Sequence, residues 1–426
     1  MTAALGRLNR RTFASLQQYP NYRLFFGGQV ISVTGSWMQN IASGWLIVTL
    51  THSPVAVGVL ALAQFLPFTI FGLFAGVVVD RFDNRKLIIG TQAVQMVLAA
   101  VLAAIALGGV AVPWMVYVIA FMRGTVLVLD VPARQSLTYR MVGPAELPNA
   151  IALNSSLFNA SRVIGPALGG LVIAAIGLGF CFVANAVSFL AVLASLLLMD
   201  ERKLFPVRRP DVMPTIWRGT REGLAFVRRN RRVRVTLLIV LVISTLSFNL
   251  NVILPVLAST TLHAGPQTFG IISACFGAGA LIGALVSASI GRASWKILAA
   301  GTGLFGLAEL LLAPERSVWA AGLLLIVLGA AFTTWTSNAN SGVQLEAPDH
   351  LRGRVVGLYF YAFNGAAPVG GLLVGWLSAQ GGTELALAVG GIAALVMTAV
   401  GVVALRDVPA RPKPLTERAE TTALAA

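Results

Sequence analysis

The chain has 426 residues, of which 57% are hydrophobic and only 11% are charged. Soluble globular domains are about 45–50% apolar and about 25% charged, so this composition argues against a soluble enzyme. The net charge of +15 has the sign expected of a nucleic-acid-binding protein. The positions of the basic residues, described below, argue against that class too.

Twelve apolar runs follow one another along the chain. Each has about 18 or more residues, enough to cross a hydrocarbon core roughly 30 Å thick as a helix. Strands of a membrane barrel would alternate apolar and polar residues over about ten positions, and these runs do not. The sequence therefore predicts an all-α membrane protein with twelve transmembrane helices. The runs, numbered 1 to 12, are 24–49, 55–79, 87–108, 114–133, 150–175, 177–199, 235–258, 268–290, 295–313, 317–337, 355–378 and 384–405.

The basic residues indicate the orientation of the chain. Of the 31 Lys and Arg residues, 28 lie in the N-terminal tail, in segments that follow even-numbered runs, or after residue 405. The loops on the other side hold only Arg316, and Arg123 and Arg162 lie inside runs 4 and 5. Cytoplasmic loops carry the excess of Lys and Arg. We therefore predict that both termini are cytoplasmic and that nucleic acid is not a partner.

The two halves of the chain repeat one another. The sequence PAEL at 144–147 matches PDHL at 348–351, and NASRVIGPALGG at 159–170 matches NGAAPVGG at 364–371. The offset is about half the chain, which predicts two pseudo-symmetric six-helix bundles with a site between them. The predicted domains are an N-terminal bundle at 1–199, a basic cytoplasmic linker at 200–234, a C-terminal bundle at 235–405 and a cytoplasmic tail at 406–426.

The sequence offers no motif for nucleotide hydrolysis. None of the four lysines lies in a G-x-x-x-x-G-K-[ST] loop, so no phosphate cradle is present. Cys181 and Cys275 both fall in apolar runs, where small buried side chains are the simplest interpretation. We expect no enzyme activity, no cofactor and no metal, and the energy for any transport must come from a gradient.

Several motifs resemble those of a known family. The chain combines two six-helix halves with GVVVDRFDNRK at 76–86 and GPALGG at 165–170. This combination resembles the major facilitator superfamily. The opening NYRLFFGGQVISVTGSWMQN and the segment VPARQSLTYRMVGPAELPNA resemble its enterobactin-exporter-like branch, whose members are antiporters of drugs or metabolites against protons.

The resemblance implies a role for the loop after run 2. In the family this loop latches the two halves in one state, and Asp80 would be the latch here. The sequence departs from the family pattern, because Asp83 stands where Gly is usual and Asn84 where Arg is usual. An ordinary basic loop is the alternative interpretation. The predicted latch-loop residues are Gly76, Asp80, Arg81, Arg85 and Lys86.

The motif in run 5 places small residues at helical spacing. The resemblance implies the antiporter motif, Gly165, Pro166, Gly169 and Gly170, which packs on run 8. Small residues allow close packing of transmembrane helices. The predicted contacts pair Gly165 and Gly169 with Gly279 and Gly283 of run 8, and Gly371 and Gly375 of run 11 with Gly72 and Gly76 of run 2.

Charged residues inside the membrane are costly, at roughly 2.5–3.5 kcal/mol each on insertion scales. Arg123 and Asp130 share one face of run 4 with Arg134, and Arg162 shares a face of run 5 with Asn159. This pattern predicts a cavity for anionic or polar groups, with Asp130 as the proton carrier. A structural Arg–Asp pair is the alternative. Glu309 in run 9 is the other acid inside the membrane. It belongs to the predicted cavity and coupling set and is the proton-carrier candidate if Asp130 is structural. Because it lies near Pro314, snorkelling to the outer interface is the simpler interpretation.

Amides complete the predicted cavity. Trp37, Trp45 and Trp335 could stack on a substrate or belong to the core and the interfacial belts. The amide candidates are Gln39, Asn40, Asn159, Asn249, Asn251, Asn338, Asn340 and Asn364.

Together these features predict a secondary active transporter that exports a small amphipathic or anionic molecule, such as a siderophore, metabolite or drug, by proton-coupled alternating access. The expected partners are the lipid bilayer, a small-molecule substrate and protons, and the expected state is a monomer in the bacterial inner membrane. The alternatives are a gradient-driven importer or lipid-related facilitator of the same fold, and a non-transporting membrane sensor or scaffold.

Overall fold

The computed structural model describes residues 13–206, 216–290, 293–348 and 351–406. Every regular element within these ranges is helical, which confirms the all-α prediction. Nine helical segments of this described part are long and apolar enough to cross a membrane. The helices are α1 (Ala14–Gln18), α2 (Pro20–Thr51), α3 (Pro54–Arg81), α4 (Asn84–Leu107), α5 (Pro113–Ile176), α6 (Leu178–Leu197), α7 (Ile216–Arg229), α8 (Arg231–Leu246), α9 (Leu250–Val256), α10 (Pro266–Ile290), α11 (Trp295–Leu312), α12 (Val318–Glu346), α13 (Arg352–Asn364) and α14 (Ala367–Leu405), with a 3₁₀ turn at Glu201–Lys203 and a π-helical turn at Leu257–Thr261.

Glycines change the chain direction inside the two longest helices. Gly143 in α5 has φ 68° and Gly382 in α14 has φ 69°, both in the left-handed region that favours glycine. A straight helix of the 64 residues in α5 would measure about 96 Å at 1.5 Å per residue. Each of these elements is therefore two helices. Run 4 and run 5 lie on either side of Gly143, and the predicted loop between them is helical apart from this glycine.

Run 7 contains a break that its apolar pattern did not predict. The helix ends at Leu246 and restarts at Leu250, and the intervening Asn249 has φ −126° and ψ 44°. The Asn249 side-chain amide donates to the backbone oxygens of Thr245 at 3.0 Å and Ser244 at 3.3 Å. It thus satisfies carbonyls that the interrupted helix leaves free. Residues 247–249 are called the α8–α9 break below.

The helix bundle has two chemically different ends. The basic end holds segments 82–83, 198–206 and 347–348, and the opposite end holds 52–53, 108–112, 262–265 and 313–317. One apolar cluster near the basic end consists of residues that precede the predicted linker, including Tyr22, Val79, Met141 and Leu196. A second cluster joins residues from both sides of the linker, including Trp45 and Phe269. The two halves therefore share this second apolar core.

The two ends of the predicted linker pack on different halves. Phe205 lies against Gly143, and its backbone N–H donates to the oxygen of Arg140 at 2.7 Å. Helix α7 instead packs on α13, where Glu222 forms an ion pair with Arg354. The residues between these two attachments, 207–215, lie outside the described ranges, as does the tail at 407–426.

Candidate functional site

Helix α5 packs closely on α10, across the two halves. A Cβ added at Gly170 would lie 2.8 Å from the Cα of Gly270 and 2.9 Å from the backbone oxygen of Pro266. A Cβ at Gly277 would lie 2.6 Å from the backbone oxygen of Arg162. Such distances leave no room for a side chain. Glycines therefore bring the two backbones together along α5, from Arg162 to Gly170.

The predicted glycine pairs within this contact are wrong. Gly165 faces Trp37 of α2, where a built Cβ would collide with the Trp37 Cβ, and Gly169 faces Met38 at 3.4 Å. Gly279 and Gly283 both face α12 in their own half. Consecutive glycines point about 100° apart around a helix, so Gly169 and Gly170 necessarily contact different neighbours.

The contact between α3 and α14 also has a different register from the predicted one. Gly371 and Gly375 meet Gly58 and Pro54, near the opposite end. Gly72 has the ring of Phe68 on its own helix as its nearest neighbour. Nearer the basic end, the Thr69 hydroxyl donates to the backbone oxygen of Gly365 at 3.0 Å. The side-chain position of Gly76 lies outside the described part of the structure.

Arg162 lies where the two halves meet. Its guanidinium carbon is 5.4 Å from the ring centre of Trp37 in α2, and 5.1 Å from the ring centres of both Phe276 in α10 and Phe332 in α12. The side chain is partly exposed. Within the described ranges, the structure shows no carboxylate paired with it. A cation held only by aromatic faces is stabilised by a modest cation–π attraction and retains all its hydrogen-bond donors for a ligand. We call Arg162 and these three rings the Arg162 pocket.

Phenylalanines of the C-terminal half extend the Arg162 pocket. Phe248 of the α8–α9 break stacks on Phe332 with 4.0 Å between ring centres. Phe305 of α11 and Phe363 of α13 lie 6.4 Å and 6.3 Å from Phe332. Sequence reasoning missed this cluster, although it takes one phenylalanine from each of several successive C-terminal segments. Trp335 is fully buried at its edge, so its core interpretation is the one that the structure favours.

Asp130 lies in a polar network away from the Arg162 pocket. It is 1% exposed and accepts from Thr91 at 2.6 Å and from Gln92 at 2.9 Å. It also forms an ion pair with Arg134, which in turn donates to Gln29 of α2. The carboxylate thus joins α4 and α5, and Arg134 extends the network to α2. Asp130 as proton carrier stays a prediction, but these contacts hold its carboxyl group in place.

Arg123 and Arg162 are not in one cluster. The Arg123 side chain contacts Gln95 of α4, with 3.4 Å from its Nε to Gln95 Oε1. Gln95 returns a hydrogen bond of 3.4 Å to the backbone oxygen of Arg123. Arg123 is therefore attached to the α4 side of the N-terminal half, and Arg162 to the junction of the halves.

The prediction that Glu309 snorkels to the interface is wrong. The residue is 0% exposed. Its Oε2 is 2.5 Å from the Ser247 hydroxyl of the α8–α9 break, and it would lie 3.0 Å from a Cβ added at Gly390 of α14. Its Oε1 is buried without a hydrogen-bond partner in the described part of the chain. Gly390 provides space at the helix interface, so the carboxyl points inward.

The predicted amides are scattered. Gln39 is fully buried and accepts from Asn185 of α6, and Asn338 accepts from the backbone N–H of Ser294 at 3.1 Å, where α11 begins. Asn249 closes the α8–α9 break as described above. Asn40 and Asn340 are partly exposed, and Asn251 is exposed. Asn159 and Asn364 are partly exposed, and each donates to a backbone oxygen of its own helix.

The loop before α4 is held within the N-terminal half. Asp83 accepts from the Lys86 backbone N–H at 3.0 Å and pairs with Arg140 at 3.2 Å. Partial burial alone would raise the pKa of Asp83, but these two partners outweigh it and lower the pKa below its ordinary value. Arg85 pairs with Glu201 beside α6. The departure from the family pattern at Asp83 therefore supplies a helix cap and an ion pair. The Asp80 side chain lies outside the described part, so the latch stays a prediction.

A family model described as transmembrane secretion effector, of the major facilitator superfamily, matches residues 11–419. The chain belongs to this family. It is therefore a multi-pass membrane protein.

Curated bacterial relatives resemble nearly the whole chain. It is 25% identical to the staphyloferrin A transporter of Staphylococcus aureus, covering 89% of this chain and 94% of that protein. It is 26% identical to macrolide efflux protein A of Streptococcus pyogenes (84% and 90%) and 28% identical to the multidrug efflux pump Tap of Mycobacterium tuberculosis (92% and 96%).

Solved structures share the fold. A point mutant of the nucleoside transporter NupG matches with a TM-score of 0.73 at 12% identity, covering 90% of this chain and 99% of that one. A bacterial homologue of the lysosomal transporter Spinster, crystallised inward-facing and unoccupied, matches with a TM-score of 0.67 at 13% identity, covering 91% and 96%.

Proposed function

We propose that this protein exports an amphipathic or anionic organic molecule from the cytoplasm by alternating access, driven by a proton gradient. The observation that carries the proposal is the Arg162 pocket, in which one half supplies a cation without a paired carboxylate in the described structure and both halves supply aromatic faces. The relatives named as a staphyloferrin A transporter, a macrolide efflux protein and a multidrug efflux pump support an organic substrate.

The proposed topology has twelve spans. Helix α5 counts as two spans, and α8, the break and α9 form one. Helix α13 and the first part of α14 form the eleventh span, and the second part of α14 forms the twelfth. Positive-inside bias assigns the basic end to the cytoplasm, which places both termini there. We place the division between the two bundles in the 200–234 linker, with the Arg162 pocket between the bundles.

The proposed conformation is open to the cytoplasm. The glycine contacts between the halves, Gly170 with Gly270 and Gly375 with Pro54, lie toward the opposite end. At the basic end, the described ion pairs Asp83–Arg140 and Arg232–Glu346 each stay within one half. A cytoplasmic substrate would then reach the Arg162 pocket from the basic end.

The pocket chemistry favours a substrate with an anionic group beside an aromatic or apolar surface. An arginine at the centre of a transmembrane helix costs roughly 2.5–3.5 kcal/mol on insertion scales, and cation–π contacts return about 0.5–2 kcal/mol. A substrate carboxylate or sulfonate would supply the charge-assisted hydrogen bonds that the rings cannot.

Everted membrane vesicles provide the test. A pH gradient would be imposed across the vesicle membrane. The uptake of three probes would then be measured: naphthalene-1-sulfonate, erythromycin and staphyloferrin A. The sulfonate is permanently charged and does not follow a pH gradient by itself. We expect accumulation of at least one probe that an ionophore abolishes, and loss of that accumulation in Arg162→Ala. Arg316→Ala, which removes an exposed arginine of the opposite end, is the matched control. Accumulation that persists in Arg162→Ala would contradict the assigned site.

A further inference from the structure

We infer that Glu309 is the proton-binding carboxyl of this transporter, and that the α8–α9 break links it mechanically to the Arg162 pocket. This inference rests on the proposed function and adds the identity of the coupling group. It departs from the prediction that Asp130 carries the proton and takes up the second candidate, Glu309.

Glu309 is placed as a neutral acid would be. Its carboxyl is fully buried, with the Ser247 hydroxyl as its hydrogen-bond partner and its second oxygen unpaired in the described part of the chain. Asp130, by contrast, has three donors, one of them a guanidinium. A buried carboxylate with a single neutral donor would be very costly, so the group takes up a proton instead.

Charged groups on the surrounding elements do not reach Glu309. Helices α12 and α14 pack against α11, and α8 leads into the break that contains Ser247. The charged residues of these helices lie at helix ends. Along α11, Lys296 is thirteen residues from Glu309, or about 20 Å at 1.5 Å per residue. Along α14, Glu384 is six residues from Gly390, about 9 Å, and is paired with Arg316. The remaining charged residues of these elements are Arg231, Arg232 and Arg234 of α8 and Glu346 of α12, all toward the basic end.

The α8–α9 break connects Glu309 to the pocket through consecutive residues. Ser247 contacts Glu309, and the next residue, Phe248, stacks on Phe332, whose ring also faces Arg162. Asn249 then lies against Gly370 of α14, 2.8 Å from a Cβ built there. Irregular backbone inside a membrane helix commonly forms the binding site of a transporter.

This connection gives the exchange of proton and substrate a physical basis. When Glu309 releases its proton to water, the new carboxylate needs further hydrogen-bond donors, and Ser247 must move with it. Phe248 then shifts against Phe332 and changes the face offered to a ligand at Arg162. In the proposed cytoplasm-open state, Glu309 is first protonated. It then releases its proton, and the substrate binds after that release.

Infrared spectroscopy tests the proton site without any substrate. We expect purified wild-type protein at pH 7 to show the carbonyl stretch of a protonated carboxylic acid. Glu309→Gln should remove this band, whereas Asp130→Asn should keep it. Absence of the band in the wild type, or its persistence in Glu309→Gln, would overturn the inference.

Transport of naphthalene-1-sulfonate into everted vesicles tests the coupling. We expect Glu309→Gln to keep downhill flux but lose accumulation driven by the pH gradient, and Phe248→Leu to keep the infrared band while its accumulation falls. If Glu309→Gln accumulates the probe as the wild type does, the inference fails while the proposed function stands. If Phe248→Leu couples normally, the link through the break is wrong. If wild-type vesicles show no accumulation driven by the pH gradient for any of the three probes, the proposed function fails, and the infrared result still decides whether Glu309 binds the proton.

Discussion

The contact between Gly170 and Gly270 gives a sharp test of alternating access. In Gly170→Ala the new methyl would lie 2.8 Å from the Gly270 Cα, whereas ordinary contact begins at 3.4 Å. Helices α5 and α10 must therefore separate by about 0.6 Å, the difference between these distances. Overpacking of this kind costs about 1–3 kcal/mol, and only in the state in which the helices touch. A bias of that size shifts a two-state equilibrium about 5–150-fold.

Gly169→Ala is the matched control, because its methyl would meet Met38 and Ile41 at 3.4–3.6 Å, in ordinary contact. Spin labels would be attached at Val110→Cys and Gln267→Cys, both exposed at the opposite end. Double electron–electron resonance would then measure the distance between the halves. In both variants, the native Cys181 and Cys275 would be replaced with Ala so that only the introduced cysteines carry labels. We expect longer distances in Gly170→Ala than in Gly169→Ala. Identical distance distributions would refute the assignment of this contact to the moving interface.

Three further predictions concern the polar contacts. Asp83→Ala should lower stability by about 1 kcal/mol through loss of a helix cap; because the pKa of Asp83 is lowered in the folded state, the deficit in thermal melts should be full at pH 7 and shrink as the pH falls below about 3.9. Asp130→Asn should cost about 3–5 kcal/mol, because it leaves Arg134 without its partner, yet keep transport driven by the pH gradient. Arg162→Lys should weaken probe binding, because an ammonium lacks the planar guanidinium that stacks on Trp37 and Phe332.

Each of these has a result that contradicts it. A deficit in Asp83→Ala that is independent of pH would mean that the carboxylate does not contribute through its charge. Loss of coupling in a stably folded Asp130→Asn would restore Asp130 as the proton carrier. Equal probe binding in Arg162→Lys and the wild type would mean that the site requires only a positive charge and not a planar guanidinium.

The sequence was sufficient for the helical class and for the family, because long apolar runs and the two motifs are local features. It also placed Arg162 on an inward-facing stripe. It could not supply Phe276 and Phe332 as the neighbours of Arg162, because they lie more than 100 residues away on helices whose rotation the pattern does not fix.

The predictions of the glycine contacts and of the snorkelling of Glu309 were wrong for related reasons. Gly169 and Gly170 are adjacent in sequence, and helical spacing alone does not say which of them faces α10. Because Glu309 is close to Pro314 in sequence, its side chain was expected to reach the interface. The space at Gly390 depends on the packing of α14, and the position of the Ser247 hydroxyl depends on the break in run 7; neither can be predicted from the apolar pattern.

Proton release upon ligand binding measures the central claim most directly. Purified protein in weakly buffered detergent would be titrated with naphthalene-1-sulfonate while the pH is recorded. The account predicts that the wild type releases protons as the probe binds, and that Glu309→Gln binds the probe without release. Binding to the wild type without proton release, or release that persists in Glu309→Gln, would contradict it.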